Sequence, residues 1–291
     1  MGAMGSVGFF TIYLSRLNLE MEDFTIKNVT ITNQYPVIMI NLSKNDSLGA
    51  TTSVAIKNGY IEDMVEDNNF TTSQTDKSSL GLFLRSQGPS NLEIDNLTLK
   101  NVHFKSKNKL IFYTFLIGKL DYNFINFIPA VFLFSDFSIL PYAEITNIDI
   151  QDSTNTNFWL WKLDTVNFEN ITLQNNMFSM DLNTSYYLFD VQLGHHTTFQ
   201  NIYAKNNAGP IFSSEEVLLV NINNMTVYDA TMSQDLRPLY QNIIFIVTEQ
   251  DPGTEGLDPT RPTGVHLSDV NVYVSFPFLF FYNYFNRDLM I

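Results

Sequence analysis

An eight-residue frame that returns along the whole chain constrains its fold more than any other feature. The clearest copy is Leu92-Glu93-Ile94-Asp95-Asn96-Leu97-Thr98-Leu99, apolar and polar residues in alternation with one interruption at the Asn. Earlier copies put Asn28 and Asn58 at that point. Later copies put Asn147, Asn170, Asn201 and Asn224 there, and the last has Asp269 instead. Alternation has the period of a strand, not of a helix. The Asn shifts the phase by one position, because the next apolar residue follows at once. Such a slip suits a tight bend between two short strands. Asn tolerates the left-handed backbone region and bonds to nearby backbone, so it suits the bend as well. The copies recur about 23 to 51 residues apart, a range in which self-similarity marks a solenoid or array.

Copies stacked in register would bring their bends into a file, since strands in a sheet lie about 4.8 Å apart. A carboxamide carries both donor and acceptor, so the expectation is an Asn ladder of inward-pointing side chains. Its members are Asn28, Asn58, Asn96, Asn147, Asn170, Asn201, Asn224 and Asp269. Ionised Asp269 accepts without donating, which weakens or ends the ladder. Between frames lie continuously apolar runs such as Ala130-Val131-Phe132-Leu133-Phe134, Phe158-Trp159-Leu160-Trp161 and Ile243-Ile244-Phe245-Ile246-Val247. Runs of this kind fit strands buried on both faces. Their aromatic residues either fill the interior or pack on a neighbouring chain, and both readings stay open. Short alternating strands also build β-sandwiches. The phase slip in eight places favours the solenoid.

This repeat resembles the parallel β-helix of the pectin-lyase-like superfamily. The resemblance implies an all-β fold, a single-stranded parallel β-helix solenoid, right-handed, of about eight coils. It would form one domain over residues 1–291, as a fragment or module of a longer chain. Residues 105–142 are read as an apolar insertion. A membrane span needs about 20 apolar residues, and Lys119, Asp121 and Pro129 interrupt this stretch. It is therefore expected to be a packed flap or an intermolecular contact, with no transmembrane segment. An uncapped solenoid end is a template for pairing. Self-association, or contact with neighbouring modules through the ends and aromatic faces, follows as the expected partnership.

Only 16 Lys and Arg stand against 30 Asp and Glu, a formal charge of −14. Nucleic acid and anionic membrane surfaces are poor partners for such a chain. Cysteine is absent, which excludes disulfides and thiolate metal sites. Enzymes of the resembled superfamily cut or de-esterify acidic polysaccharides with clustered carboxylates and Arg or bound calcium. Here Arg16, Arg85, Arg237, Arg261 and Arg287 are scattered, and no Asp-Asp pair occurs. Gly194-His195-His196 resembles part of the polygalacturonase Gly-His-Gly but lacks its last Gly. Asp63, Glu66 and Asp67 lack the spacing of a calcium loop and read as a solvated acidic loop. No catalytic, cofactor-binding or metal residue is expected.

Asn-x-Ser/Thr sequons occur at Asn28, Asn41, Asn45, Asn69, Asn96, Asn170, Asn183 and Asn224. The four on the frame read as accidents of a Thr two places after its Asn. Asn41, Asn45, Asn69 and Asn183 remain candidates for N-glycans and hence for a secretory route. The combined expectation is a non-enzymatic structural glycoprotein, extracellular or on the cell surface, as a subunit of a fibre or surface layer. The alternatives are a carbohydrate-active or carbohydrate-binding protein, or an adhesin.

Overall fold

A computed structural model describes residues 10–14, 18–31, 38–42, 52–66, 84–87, 90–103, 131–134, 142–154, 156, 158–161, 163–177, 187–209, 211–231, 244–247 and 264–273. These residues are organised as strands, paired side by side in two series. The first series runs β1 (Phe10–Leu14), β4 (Ile38–Leu42), β6 (Leu84–Gln87), β8 (Val131–Phe134) and β10 (Phe158–Trp161). It continues into the first residues of β12 (Phe189–Lys205) and β13 (Phe212–Tyr228), then β14 (Ile244–Val247). The second series starts with β2 (Leu19–Glu22) and β3 (Thr25–Ile31), both on β5 (Thr52–Glu66). It proceeds through β7 (Ser90–His103), β9 (Tyr142–Gln151) and β11 (Thr165–Gln174) to the later parts of β12 and β13, and then β15 (Gly264–Tyr273).

Every pairing among the described strands is parallel. A sandwich of antiparallel sheets is thereby set aside. The chain visits the first series, then the second, and returns. Strands β12 and β13 are long enough to run through both series and so join them. The architecture is an all-β fold with a large parallel sheet, consistent with a β-solenoid. Within 105–142, Val131–Phe134 pairs in the first series and Tyr142 opens β9. The rest of that stretch lies outside the described residues.

Alternation places the same inward position of successive strands in line. Met21, Ile56, Ile94, Ile145, Phe168, Phe199, Ile222 and Leu267 are register partners in sequence. From Ile56 to Ile222 each is buried. Aromatic rings of the first series meet them. Phe158, Phe189 and Phe212 are fully buried. Phe189 meets Phe158 at 5.2 Å and Phe168 at 4.8 Å between centroids. Phe199 stacks on Phe168 at 4.9 Å with planes 3° apart, and on Phe212 at 4.3 Å. These aromatic side chains fill the interior. Each ring buries on the order of 150–250 Å² on folding, and ring pairs add to that gain.

Gly59 marks a place where the core is filled from the neighbouring strand. A Cβ there would lie 2.4 Å from Cζ of Phe24 and 2.8 Å from Cδ1 of Leu97. The register partners that follow it are Leu97, Ile148 and Ile171, so a larger residue is the rule at that position. Phe24 occupies the space that the missing side chain leaves. Truncating Phe199 to Ala should cost about 3–5 kcal/mol of unfolding free energy, because its neighbours on two sides cannot collapse into the gap. Urea denaturation monitored by far-ultraviolet circular dichroism checks this, and an unchanged midpoint would contradict the assigned packing.

Candidate functional site

Fifteen described non-glycine residues have φ between 50° and 57°, and all are Asn or Asp. This left-handed region costs most other residues about 1–2 kcal/mol, whereas Asn and Asp enter it with local hydrogen bonding. Along the second series they form two rows. The first holds Asp23, Asn58, Asn96, Asn147, Asn170, Asn201, Asn224 and Asp269. Five residues after each of the first seven comes the second row: Asn28, Asp63, Asn101, Asp152, Asn175, Asn206 and Asp229. Each short segment between the rows carries two inward apolar positions, such as Leu97 and Leu99, or Ile171 and Leu173.

The register corrects one expected position. Asn28 does not begin the row that contains Asn58; Asp23 does. Asn28 lies opposite Asp63 in the second row, because Lys27 pairs with Glu62 and Val29 with Met64. The sequence frame misses this because Asp23 is followed by Phe24-Thr25-Ile26, which carries the same alternation one corner earlier. Asp63 is likewise a corner rather than part of a solvated loop.

Hydrogen bonds link neighbours within each row, and they have one polarity. Asn58 Nδ2 donates to Asp23 Oδ1 at 2.9 Å, and Asn96 Nδ2 to Asn58 Oδ1 at 2.8 Å. Asn224 donates to Asn201 at 2.8 Å, Asn201 to Asn170 at 3.0 Å, and Asn170 to Asn147 at 3.1 Å. Asn147 passes over Asn96 and donates to Asp95 Oδ1 at 2.7 Å, which Thr146 Oγ1 also reaches at 2.8 Å. In the second row Asn101 donates to Asp63, Asn175 to Asp152 at 3.0 Å and Asn206 to Asn175 at 3.3 Å. The amide always belongs to the later strand, and each run ends on a carboxylate of the earlier one. Both rows break between β7 and β9. There His103 Nε2 lies 2.7 Å from Asn101 Oδ1, and its Nδ1 3.1 Å from Thr154 Oγ1.

The corner side chains do not point inward as expected. Asn28, Asn58, Asn96, Asn147, Asn170 and Asn224 are exposed. The inward amides are Asn176 and Asn207, at 2% and 1% exposure, one residue beyond the second row. Asn176 Nδ2 donates to Asn207 Oδ1 at 3.0 Å and to the Ile150 carbonyl at 2.8 Å. Its Oδ1 accepts from the Ser153 amide at 3.0 Å, and Asn207 Nδ2 reaches the Leu173 carbonyl at 3.1 Å. Neither Asn176 nor Asn207 lies on the eight-residue frame read from the sequence. The signal that would find them is the five-residue repeat of Asn or Asp after each frame.

The remaining polar cluster lies where β12 turns from the first series into the second. Buried His195 is paired through Nδ1 with Asp164 Oδ1. The amides of His195 and His196 both donate to the Asp164 carbonyl, at 3.1 and 3.0 Å. Gly194 permits this approach, since a Cβ there would lie 3.0 Å from the Leu163 carbonyl oxygen. His196 faces outward, with Asn221 Nδ2 at 2.8 Å and Thr198 Oγ1 at 3.2 Å from its Nε2. Burial pushes its pKa below the ordinary histidine value, and the Asp164 charge opposes that shift. A pair of this kind can orient an imidazole. Among the described residues no three His, Asp or Glu side chains gather so as to hold a metal ion. On the outer surface Tyr228 stacks on Tyr273 at 4.7 Å with planes 6° apart, and Tyr203 lies 6.1 Å from Tyr228.

Of the expected glycan sites, Asn41 lies on β4 opposite Tyr13 and Gln87. Asn45, Asn69 and Asn183 lie outside the described residues. No described helix is long and apolar enough to cross a membrane. Comparison with protein-family models, with curated proteins and with solved structures finds no match for this chain.

Replacing Asn170 by Ala should destabilise the fold by about 1–3 kcal/mol, combining the left-handed cost with two lost hydrogen bonds. Gly at that position should cost less, because it adopts φ near 57° freely. Equal losses for Ala and Gly in urea denaturation would contradict the role given to the backbone conformation. His196 yields a second expectation. Its folded pKa lies below the unfolded value, so both states are neutral well above about pH 6.5. As the pH falls through that value the unfolded state binds the proton first, and stability declines. The His196→Gln variant should lose this part of the slope between neutral and mildly acid pH, measured as the difference in denaturation midpoints.

Proposed function

We propose that this chain is a non-enzymatic structural solenoid, an extracellular or cell-surface glycoprotein that serves within a fibre or surface layer. In this reading it is a single-stranded, right-handed parallel β-helix of about eight coils, and its corner amides act as an Asn ladder. One observation carries the proposal. Backbone strain in proteins gathers where function needs it. Here all fifteen described non-glycine residues with positive φ are Asn or Asp at the corners. The unusual backbone serves the stacking of strands rather than the aim of a reactive group. The acidic charge keeps such a particle soluble and away from polyanions.

Two measurements test this. Incubation with a panel of acidic and neutral polysaccharides should release no reducing ends or unsaturated products. Sedimentation velocity should show association that grows with protein concentration; a monomer at every concentration would remove the fibre or layer from the proposal. A second reading, carbohydrate binding, is favoured by the exposed Tyr203 and Tyr273 and by Tyr228 between them. Stacking of sugar rings on tyrosine would then be lost in Tyr273→Ala, read as binding to a glycan array.

A further inference from the structure

We propose that Asn58-Gly59 is a covalent record of unfolding: the pair cyclises and loses ammonia when the chain opens, and stays inert while its corner is intact. It is the one Asn-Gly pair in the sequence. The other Asn corners of the first row precede Leu97, Ile148, Ile171, Ile202 and Met225. Those side chains shield the backbone nitrogen that follows the Asn, whereas glycine leaves it open to close approach. Core packing explains why glycine stands there. A Cβ at position 59 would lie 2.4 Å from Cζ of Phe24 and 2.8 Å from Cδ1 of Leu97. An alanine would collide with the core, so the reactive pair comes with the fold.

The chemistry uses only the chain and water. The Gly59 nitrogen attacks Asn58 Cγ, the N–Cγ bond forms, and the Cγ–Nδ2 bond breaks. Nδ2 leaves as ammonia, taking the proton of the Gly59 N–H. Water then opens the cyclic imide at either carbonyl, giving aspartate or isoaspartate at position 58. Asn58 is exposed, so it is conformation and not exclusion of water that protects it. Its φ is 52°, and in the left-handed region ψ is about +47°. That setting turns the Gly59 nitrogen away from Cβ and Cγ, whereas ring closure needs them on the same side of the Cα–C bond. The carboxamide is also held at both ends. Nδ2 donates to Asp23 Oδ1 at 2.9 Å, and Oδ1 accepts from Asn96 Nδ2 at 2.8 Å. Neither product fits this corner. Isoaspartate carries the main chain through Cβ, one atom longer. Here Lys57 lies opposite Glu22 and Asp95, and Gly59 opposite Leu97, so the added atom disturbs register on both sides of β5. Aspartate has no N–H for Asp23 and sets a second carboxylate beside it.

The test incubates the full chain at neutral pH, folded in buffer and unfolded in guanidinium chloride. Peptides are mapped by mass spectrometry, and isoaspartyl methyltransferase labelling separates isoaspartate from aspartate. In the unfolded chain Asn58 should convert before any other corner Asn. In the folded chain its rate should fall by about a hundredfold or more, the order set by a small unfolded fraction. Equal rates in the two conditions overturn the inference, as does another corner converting first in the unfolded chain. Refolding after increasing delays in denaturant gives a second readout. The yield of wild-type protein should decline in step with conversion of Asn58. The Asn58→Gly variant keeps the freedom to adopt the corner but has no amide to lose, so its yield should hold for longer. A yield that declines as fast in the variant overturns the assignment of the record to position 58. The peptide maps need no substitution, so they decide the chemistry even where the variant fails to fold.

Discussion

A left-handed corner that only a few residue types tolerate is the constraint on which this fold depends. Two such corners, five residues apart, set the path of the chain in strand after strand of the second series. Glycine would enter the same backbone region, but it brings no side chain. Asn supplies both the conformation and an amide that can donate to one neighbour while accepting from the next. The corners therefore do more than bend the chain. From β5 to β13 they tie each strand to the one before it outside the core, in parallel with the backbone pairing.

The placement of Asp follows from the same chemistry. A row whose amides all donate toward earlier strands must end on a group that needs only to accept. Asp23, Asp63, Asp95 and Asp152 fill that place. Both rows end and restart at the β7–β9 junction, where His103 takes up the amide oxygen that Asp152 cannot reach as a donor. Ion pairs elsewhere on this surface are open to solvent on at least one side, as where Lys57 lies between Glu20 and Glu93 or Glu62 between Lys27 and Lys100. Pairs so open to solvent contribute little, because water and salt screen them. The hydrogen-bonded corner rows and the apolar interior stabilise the fold more.

Burial of Asn176 and Asn207 in a largely apolar interior requires that their polar atoms be satisfied. They meet that requirement by donating to carbonyls just before the second corner of the preceding strand and accepting from amides just past it, where regular strand pairing gives way to isolated bridges. Polar side chains here extend the work of the backbone. His195 and Asp164 hold a comparable position at the other bend, where two consecutive amides converge on one carbonyl.

Alternation and its single phase slip were enough to read strands, most corner positions and the inward apolar set, because side-chain direction in a strand depends on parity alone. The corner Asn residues from Asn58 to Asn224 were legible for that reason. Register was not. A parity pattern fits equally well one corner later, so Asn28 and Asp23 could be told apart only by which strand each one faces. Nor could the sequence say which way a corner amide points, since a bend residue lies outside the alternation. Three-dimensional pairing decided that Asn170 is exposed while Asn176, six residues on, is buried, because only the neighbouring strand determines which side of a bend is enclosed.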